Sequence, residues 1–165
     1  MTKDFRIRKF FRISDFVVLI ALVSASAFFI NSIVSDTNAT TADQLVIDGI
    51  NLSTPVENVE LKGTELISPE KIAGAYKAAR NKTLLIGHST TVFKDLDEID
   101  GDMIIEYKGK EYQITEMVMM KKEDISMFDL TRPAEKDTII LMTCAGEATG
   151  NHDFTHRLVI TAVAK

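Results

Sequence analysis

The sequence has one cysteine, Cys144, among its 165 residues. A single cysteine excludes an internal disulfide. In an exported protein, an unpaired thiol indicates either a bond to another chain or a reactive site. Internal repeats and low-complexity tracts are also lacking, which excludes a repeat architecture. The chain is long enough for one domain with a sizeable core.

Negative charge outweighs positive charge outside the first fifteen residues. Those residues carry a net charge of +3 and the remaining chain −8, although the whole protein carries only −5. An acidic main domain argues against nucleic acid as a partner. The basic residues of the first segment are Lys3, Arg6, Arg8, Lys9 and Arg12.

Charged residues are absent from positions 16–35. Twenty mostly apolar residues in a helix reach about 30 Å, the thickness of a hydrocarbon core. The basic residues before them place the N-terminus in the cytoplasm. We therefore expect a cytoplasmic segment (1–15), a single transmembrane anchor (16–35), a polar linker (36–44) and an extracellular domain (45–165). A cleaved signal peptide is the alternative, because Ala25-Ser26-Ala27 resembles a cleavage site.

Three apolar, strand-like runs each carry a polar residue with reactive chemistry. Residues 139–143 lead to Cys144, residues 83–87 lead to His88, and residues 156–163 contain Arg157. A thiol with an ordinary pKa of about 8.5 needs a base or a cation to become a good nucleophile. An imidazolium can protonate a leaving amine, and a guanidinium can stabilise an oxyanion. The three residue types together indicate acyl transfer through a thioester.

The same three segments resemble the motifs of sortases, the cysteine transpeptidases of bacterial cell surfaces. Leu141-Met142-Thr143-Cys144 is similar to their Leu-x-Thr-Cys motif. Gly87-His88-Ser89 resembles their histidine motif, and Arg157-Leu158-Val159 resembles their arginine strand. The resemblance covers residues 45–165. It implies a mainly β fold, an eight-stranded barrel with one or two short helices.

The resemblance also implies roles for individual residues. Cys144 would be the nucleophile, His88 the acid and base, and Arg157 the clamp for oxyanion and substrate. Thr143, Ser89 and Leu141 would support the site or contact substrate. The implied reaction cleaves a sorting signal of the Leu-Pro-x-Thr-Gly type in a surface protein. The acyl group then passes to an amine of a cell-wall precursor or a pilin subunit.

No cofactor or metal ion is expected. Calcium requires several oxygen ligands, and four carboxylates do crowd one loop. Their spacing fits no standard calcium loop, so a solvated acidic loop is the better interpretation. The four are Asp95, Asp97, Glu98 and Asp100.

Three other functions compete with the transpeptidase. A membrane-anchored cysteine peptidase would use the same site and resolve the thioester with water. A non-catalytic surface β-barrel that binds a partner would leave Cys144 inert. An L,D-transpeptidase is disfavoured, because that family carries Ser-His-Gly before its cysteine, where this chain has Leu141-Met142-Thr143.

The other two histidines compete with His88 for the catalytic role. His152 lies in a predicted loop, residues 145–155, and we expect it to be mobile. His156 directly precedes Arg157, and neighbouring side chains of a strand point to opposite faces. If Arg157 faces the substrate groove, His156 should face away.

Two local predictions concern secondary structure. Ser68 and Pro69 are typical of a helix start, which predicts a helix over residues 68–80. Lys108-Gly109-Lys110 lies between two strand-like runs and predicts a β-hairpin in which Gly109 adopts a positive φ.

Overall fold

Ten strands and four short helices make up the described part of the chain. The structure is a computed structural model and describes residues 43–63, 65–150 and 153–165. The strands are β1 (Asp43–Ile47), β2 (Leu52–Asn58), β3 (Leu61–Lys62), β4 (Glu65–Leu66), β5 (Ala73–Ala79), β6 (Lys82–Ile86), β7 (Ile104–Tyr107), β8 (Lys110–Lys121), β9 (Thr138–Gly150) and β10 (Asp153–Ala164). One α-helix, α1 (Met127–Thr131), and three 3₁₀ turns (Asp48–Ile50, Leu96–Glu98, Lys122–Asp124) connect them.

Eight of these strands close into a barrel in the order β1-β2-β5-β6-β9-β10-β8-β7. The β2–β5 and β6–β9 pairs are parallel, and the other pairs are antiparallel. Strands β3 and β4 pair only with each other, outside the barrel. The mainly β, eight-stranded barrel with few helices is therefore confirmed.

Strands β6, β9 and β10 are apolar on both faces, which explains their nearly continuous apolar sequences. On the inner face of β9, Ile139 and Leu141 are almost fully buried in the barrel core. On its outer face, Ile140 packs in a second cluster. Leu66 of β4 and Leu130 of α1 pack against that cluster. The two elements outside the barrel thus cover the sheet and leave a groove between them.

The predicted hairpin is confirmed. Strands β7 and β8 are joined by Lys108 and Gly109, with φ angles of 53° and 70°. Positive φ at both central residues is the requirement of a type I′ turn, which matches the twist of the flanking strands. Tyr107 therefore pairs with Lys110.

The predicted helix over residues 68–80 is wrong, because residues 73–79 form strand β5. Ser68 caps no helix; its hydroxyl donates to the carbonyl of Pro69 at 3.4 Å. Strand β5 hydrogen-bonds to β2 and β6 together, and those ladders outweigh the helix preference of its alanines. A Cβ on Gly74 would lie 2.9 Å from Val59 and Pro69 side-chain atoms, so this strand is closely packed.

The predicted loop over residues 145–155 is also wrong. Strand β9 continues past Cys144 to Gly150, and β10 begins at Asp153. The pairing between them shifts register near residues 153–156, which marks a bulge. Gly146 lies opposite this irregularity with a φ of +77°. Bulges of this kind bend a strand and re-aim its side chains beside a site.

Replacing Gly146 with alanine should destabilise the barrel by about 1–2 kcal/mol from the left-handed backbone alone. Steric contact adds to this loss, since the new Cβ would lie 2.6 Å from Thr155 Oγ1 and His156 Nδ1. Urea denaturation measures the change. Gly101→Ala is the matched control, because a Cβ added at Gly101 would have no neighbouring atom within 4 Å. Equal midpoints for both variants would contradict the expectation.

Within the described residues, no helix has the length and apolar character needed to cross a membrane. The anchor predicted over residues 16–35 lies outside those residues.

Candidate active site

Cys144 lies on the outer face of β9, the face that carries Ile140 and Met142. Its direct partner across the antiparallel β9–β10 ladder is Arg157. Partners in such a ladder point to the same face. The thiol is half-buried, and the Arg157 side chain is only 15% exposed. The strand register therefore places the cysteine and the arginine side by side on two paired strands.

His88 reaches the same place through the parallel pairing of β6 with β9. Ile86 is the register partner of Met142, and the Gly87 N–H continues the ladder by donating to the Met142 carbonyl at 3.4 Å. Two residues beyond the Ile86–Met142 pair, His88 lies level with Cys144. The buried Thr143 hydroxyl donates to the Gly87 carbonyl at 2.8 Å and fixes this alignment.

Replacing Thr143 with valine should cost about 1–3 kcal/mol of stability, because the buried Gly87 carbonyl loses its donor. In the acyl transfer that the sortase resemblance implies, the rate of acyl-enzyme formation should fall as well, since the same bond aligns His88 with Cys144. Thr138→Val is the matched control. Thr138 is equally buried on β9 and donates to the Lys136 carbonyl at 2.9 Å, at the other end of the strand. It should lose stability without losing acylation rate, and an equal rate loss in both variants would refute the alignment role.

The backbone at His88 is held by the turn that follows. The His88 carbonyl accepts hydrogen bonds from the N–H groups of Thr91 at 3.2 Å and Phe93 at 3.0 Å. A Cβ on Gly87 would lie 2.6 Å from the Phe93 ring, so only glycine permits this turn to fold back. The backbone that carries the imidazole is therefore rigid. A general acid must be held in a fixed position, and this segment meets that requirement.

The Arg157 guanidinium lies along its own strand. Nη1 donates to the carbonyls of His156 at 2.8 Å and Phe154 at 3.1 Å, and Nη2 is 3.3 Å from Asp153 Oδ1. In the described part of the chain, no hydrogen bond joins Cys144 to His88 or to the guanidinium. Catalytic contacts of this kind often tighten only when substrate is bound.

A groove of about 410 Å³ contains all three reactive residues, and we call it the first groove. Its floor is the outer face of the β6–β9–β10 sheet. One wall comes from β4 and the following segment, and the other from the connector between β8 and β9 (residues 122–137). The wall residues are Glu65, Leu66, Ser68, Lys122, Ile125 and Met127. The lining is mainly apolar beyond the reactive groups.

The connector is tied to the barrel at the start of β6. The Asn81 side chain exchanges hydrogen bonds with the backbone of Ala134 in both directions. The Lys82 ammonium donates to the Asp129 carbonyl of α1 at 3.3 Å. Burial, with Arg132 nearby, lowers the pKa of Lys82. The connector therefore forms a fixed wall of the first groove.

A second groove of about 610 Å³ also reaches Cys144 and His88. It lies on the other side of the reactive pair, between the turn after His88 and the extended β9–β10 hairpin. The residues that line this groove and not the first are Glu70, Lys71, Ser89, Thr90, Thr91, Ala148 and Phe154. The thiol and the imidazole thus stand where two grooves meet.

The remaining predicted residues lie at different depths. Ser89 lines the second groove, whereas Leu141 is fully buried in the barrel core and lies beneath the site. His156 lines a separate cavity with Lys121 and Glu123, and its Nδ1 is 2.7 Å from Thr155 Oγ1. His156 therefore faces away from the reactive groups, as strand alternation predicted. His152 lies outside the described residues.

Asp153 is a part of the site that sequence reasoning missed. Its carboxylate contacts Lys122 Nζ at 2.7 Å, the Phe154 N–H at 2.9 Å and Arg157 at 3.3 Å. Residues four apart in a regular strand lie about 13 Å apart, beyond such contact. The irregular register at the start of β10 brings them together. The sequence carries no signal for this contact.

The contacts of Asp153 predict a pH dependence of stability. Lys122, followed by the Phe154 N–H and Arg157, lowers the pKa of Asp153 from 3.8 to about 2. A lowered pKa means that the stabilisation is present above pH 3.8 and is lost as the pH falls toward 2. The wild-type protein should therefore exceed Asp153→Asn in urea midpoint at neutral pH, and the two should converge near pH 2. A constant difference across that range would contradict this.

The geometry provides the components of acyl transfer in one place. A thiol, a fixed imidazole and a guanidinium line one groove, and a second opening reaches the thiol from the other side. Among the described residues, no three His, Cys, Asp or Glu side chains are grouped to hold a metal ion. A nucleophile, a proton carrier and an oxyanion donor suffice for chemistry through a thioester.

Comparison with known proteins assigns the family. The family model described as the sortase domain matches residues 45–165. The chain belongs to the sortase family. No curated protein sequence matches the chain. Sortases are cysteine transpeptidases that act on surface proteins and pilin subunits.

Solved sortase structures share the barrel. Sortase A from Corynebacterium diphtheriae, a lid mutant, is 22% identical, with a TM-score of 0.58 over 79% of this chain and 74% of that one. Sortase C1 from Streptococcus suis is 18% identical (TM-score 0.58; 75% and 72% covered). Sortase A from Listeria monocytogenes is 14% identical (TM-score 0.57; 76% and 87% covered). At these identities the likeness establishes the sortase fold.

Proposed function

We propose that this sortase cleaves a sorting signal of the Leu-Pro-x-Thr-Gly type and transfers the acyl group to an amine. The observation that carries the proposal is the convergence of Cys144, His88 and Arg157 at the junction of two grooves. The first groove, with its apolar lining, would hold the sorting signal. The second groove would admit the accepting amine after the leaving peptide has gone.

Each chemical step has a residue to perform it. The Cys144 thiolate attacks the threonine carbonyl carbon, and the oxyanion formed is stabilised by the Arg157 guanidinium. The carbon–nitrogen bond breaks as the His88 imidazolium gives its proton to the leaving amine. The resulting thioester is attacked by an amine, His88 takes up the amine proton, and the thiolate leaves. The product is a new amide bond, and the enzyme returns to its starting state.

The accepting amine belongs to a cell-wall precursor or a pilin lysine in this proposal. The residues of the second groove present one carboxylate, from Glu70, and one ammonium, from Lys71. A carboxylate near the thioester suits a cationic amine substrate. Neither a cofactor nor a metal ion is part of the proposed reaction.

Intact-mass spectrometry with a panel of sorting-signal peptides tests the proposal. We expect a covalent adduct on Cys144 with the mass of the acyl fragment, and a ligated product once an amine is added. Free acid without ligation, at any amine concentration, would identify a cysteine peptidase instead. A thiol that neither forms an adduct nor reacts with alkylating reagents in the folded state would identify a non-catalytic binding module.

We further propose that residues 16–35 anchor the enzyme in the cell membrane with the catalytic domain outside. The support is the uncharged run and the preceding basic residues. Protease added to intact spheroplasts should then digest the domain and spare an N-terminal tag. Protection of the domain would overturn this orientation.

A further inference from the structure

Arginine at a catalytic site must be held in place. Its side chain is long, and fixing it costs about 2 kcal/mol of rotamer entropy. In this structure both terminal nitrogens of Arg157 are engaged, Nη1 by two backbone carbonyls and Nη2 by the Asp153 carboxylate. The carbonyls belong to its own strand and come with the fold. The carboxylate belongs to a different side chain, so a substitution at residue 153 can remove it.

The flanking strands supply no substitute for that carboxylate. The neighbours of Arg157 in register are Cys144 on β9 and Met120 on β8. Neither a neutral thiol nor a thioether carries a negative charge that could pair with the guanidinium. In the part of the chain that the structure describes, Asp153 provides the one carboxylate within 4.0 Å of the guanidinium. Removing it leaves Nη2 without its anionic partner.

Asp153 is itself fixed at both oxygens. Oδ1 accepts from the Phe154 N–H as well as from Arg157, and Oδ2 accepts from Lys122 at 2.7 Å. Lys122 belongs to the wall of the first groove. The carboxylate therefore connects the catalytic arginine to the connector that frames the groove. A fixed donor stabilises an oxyanion more than a mobile one does, because it needs no reorganisation during the reaction.

We propose that Asp153 is a positioning residue for Arg157: its carboxylate holds the guanidinium at the groove that Cys144 also lines and influences acyl transfer only through that guanidinium. This inference rests on the proposed transpeptidase function. It predicts that removing the carboxylate lowers the acylation rate and leaves the peptide affinity unchanged, since Asp153 contributes to the placement of a catalytic group. It also predicts that the loss depends on the presence of Arg157.

The first test measures the rate of acyl-enzyme formation in single turnover with a sorting peptide. Asp153→Asn, which keeps the shape and removes the charge, should slow acylation by about 10–100-fold, the range for a displaced catalytic group. In an Arg157→Lys background the same substitution should change the rate by less than about two-fold, because the coupled residue is absent. Peptide affinity, measured in a Cys144→Ala background, should be unchanged by Asp153→Asn.

Lys122→Gln is the control that separates the two partners of the carboxylate. It removes the ammonium and leaves the contact between Asp153 and Arg157 in place. Asp153→Asn should therefore still slow acylation by about 10–100-fold in a Lys122→Gln background. If Asp153→Asn causes no further loss in that background, the carboxylate works by anchoring the connector and the inference is wrong. It is equally wrong if Asp153→Asn slows both the wild-type and Arg157→Lys backgrounds to the same extent.

A second readout does not depend on turnover. Nitrogen-15 NMR of the arginine side chains should give two separate Nη signals for Arg157 in the wild-type protein and in Lys122→Gln, and one averaged signal in Asp153→Asn. Identical spectra in all three would overturn the positioning role. A wild-type protein that forms no acyl-enzyme with any peptide would refute the proposed function, and these spectra would still decide whether Asp153 restrains Arg157.

Discussion

Replacing Cys144 with alanine is expected to abolish acyl-enzyme formation completely while the barrel stays folded. The proposed reaction passes through a thioester on this sulfur, and Cys144 is the only cysteine in the chain. The side chain is half-buried, so losing one sulfur atom should cost about 1 kcal/mol of stability, at the low end for large-to-small substitutions. Intact-mass spectrometry measures the adduct and circular dichroism measures the fold.

Cys144→Ser is the informative companion to this variant. It keeps a nucleophilic atom at the same place but replaces a thiol with a hydroxyl, whose proton is far harder to remove. Both variants should bind sorting peptides with the affinity of the wild-type protein, because the walls of the first groove are unchanged. Peptide cleavage that persists in Cys144→Ala would eliminate the thioester route.

Replacing His88 with alanine should reduce the rate of acyl transfer by about 10²–10⁴-fold, the usual loss when a positioned acid and base is removed. The proton of the leaving amine then has to come from water. The variant should still fold, because the backbone at residue 88 is held by bonds from Thr91 and Phe93 that do not involve the imidazole. Steady-state and single-turnover rates on one sorting peptide measure the effect.

His156→Ala is the matched control for His88→Ala. Both histidines are half-buried and near Arg157 in the fold, but His156 lines a separate cavity with Lys121 and Glu123. Its removal breaks the contact with Thr155 and should leave the rate close to that of the wild-type protein. If His156→Ala lost activity and His88→Ala kept it, the acid and base would have been assigned to the wrong imidazole.

The three reactive residues could be placed from sequence because each lies at the end of, or within, an apolar run. Alternation along a strand also placed His156 on the opposite face from Arg157, which the structure bears out. The turn at Lys108 and Gly109 was readable for a similar reason: its geometry is a local property of two residues. Features of this kind are set by residues that are neighbours in the sequence, so they can be predicted without knowing the rest of the fold.

Other features depend on contacts between distant segments and left no local pattern. The alanines of β5 favour a helix by themselves, and only pairing with β2 and β6 makes them a strand. The extension of β9 to Gly150 depends on its pairing with β10, across a glycine-containing stretch that resembles a loop. The contact between Asp153 and Arg157 depends on an irregular register, which the sequence does not encode in any spacing rule.

The hydrogen bond from Thr143 to the Gly87 carbonyl has a consequence for how this protein folds. The two residues are 56 positions apart, and the parallel β6–β9 pair that brings them together cannot form by closing a short hairpin. Chain entropy opposes such a contact until much of the molecule is already ordered. Hairpins such as β7–β8 can form early, whereas the alignment of imidazole and thiol is completed only with the closed barrel. A nascent or partly folded chain therefore carries an unaligned cysteine, and the proposed acyl transfer requires that the last distant strands have paired.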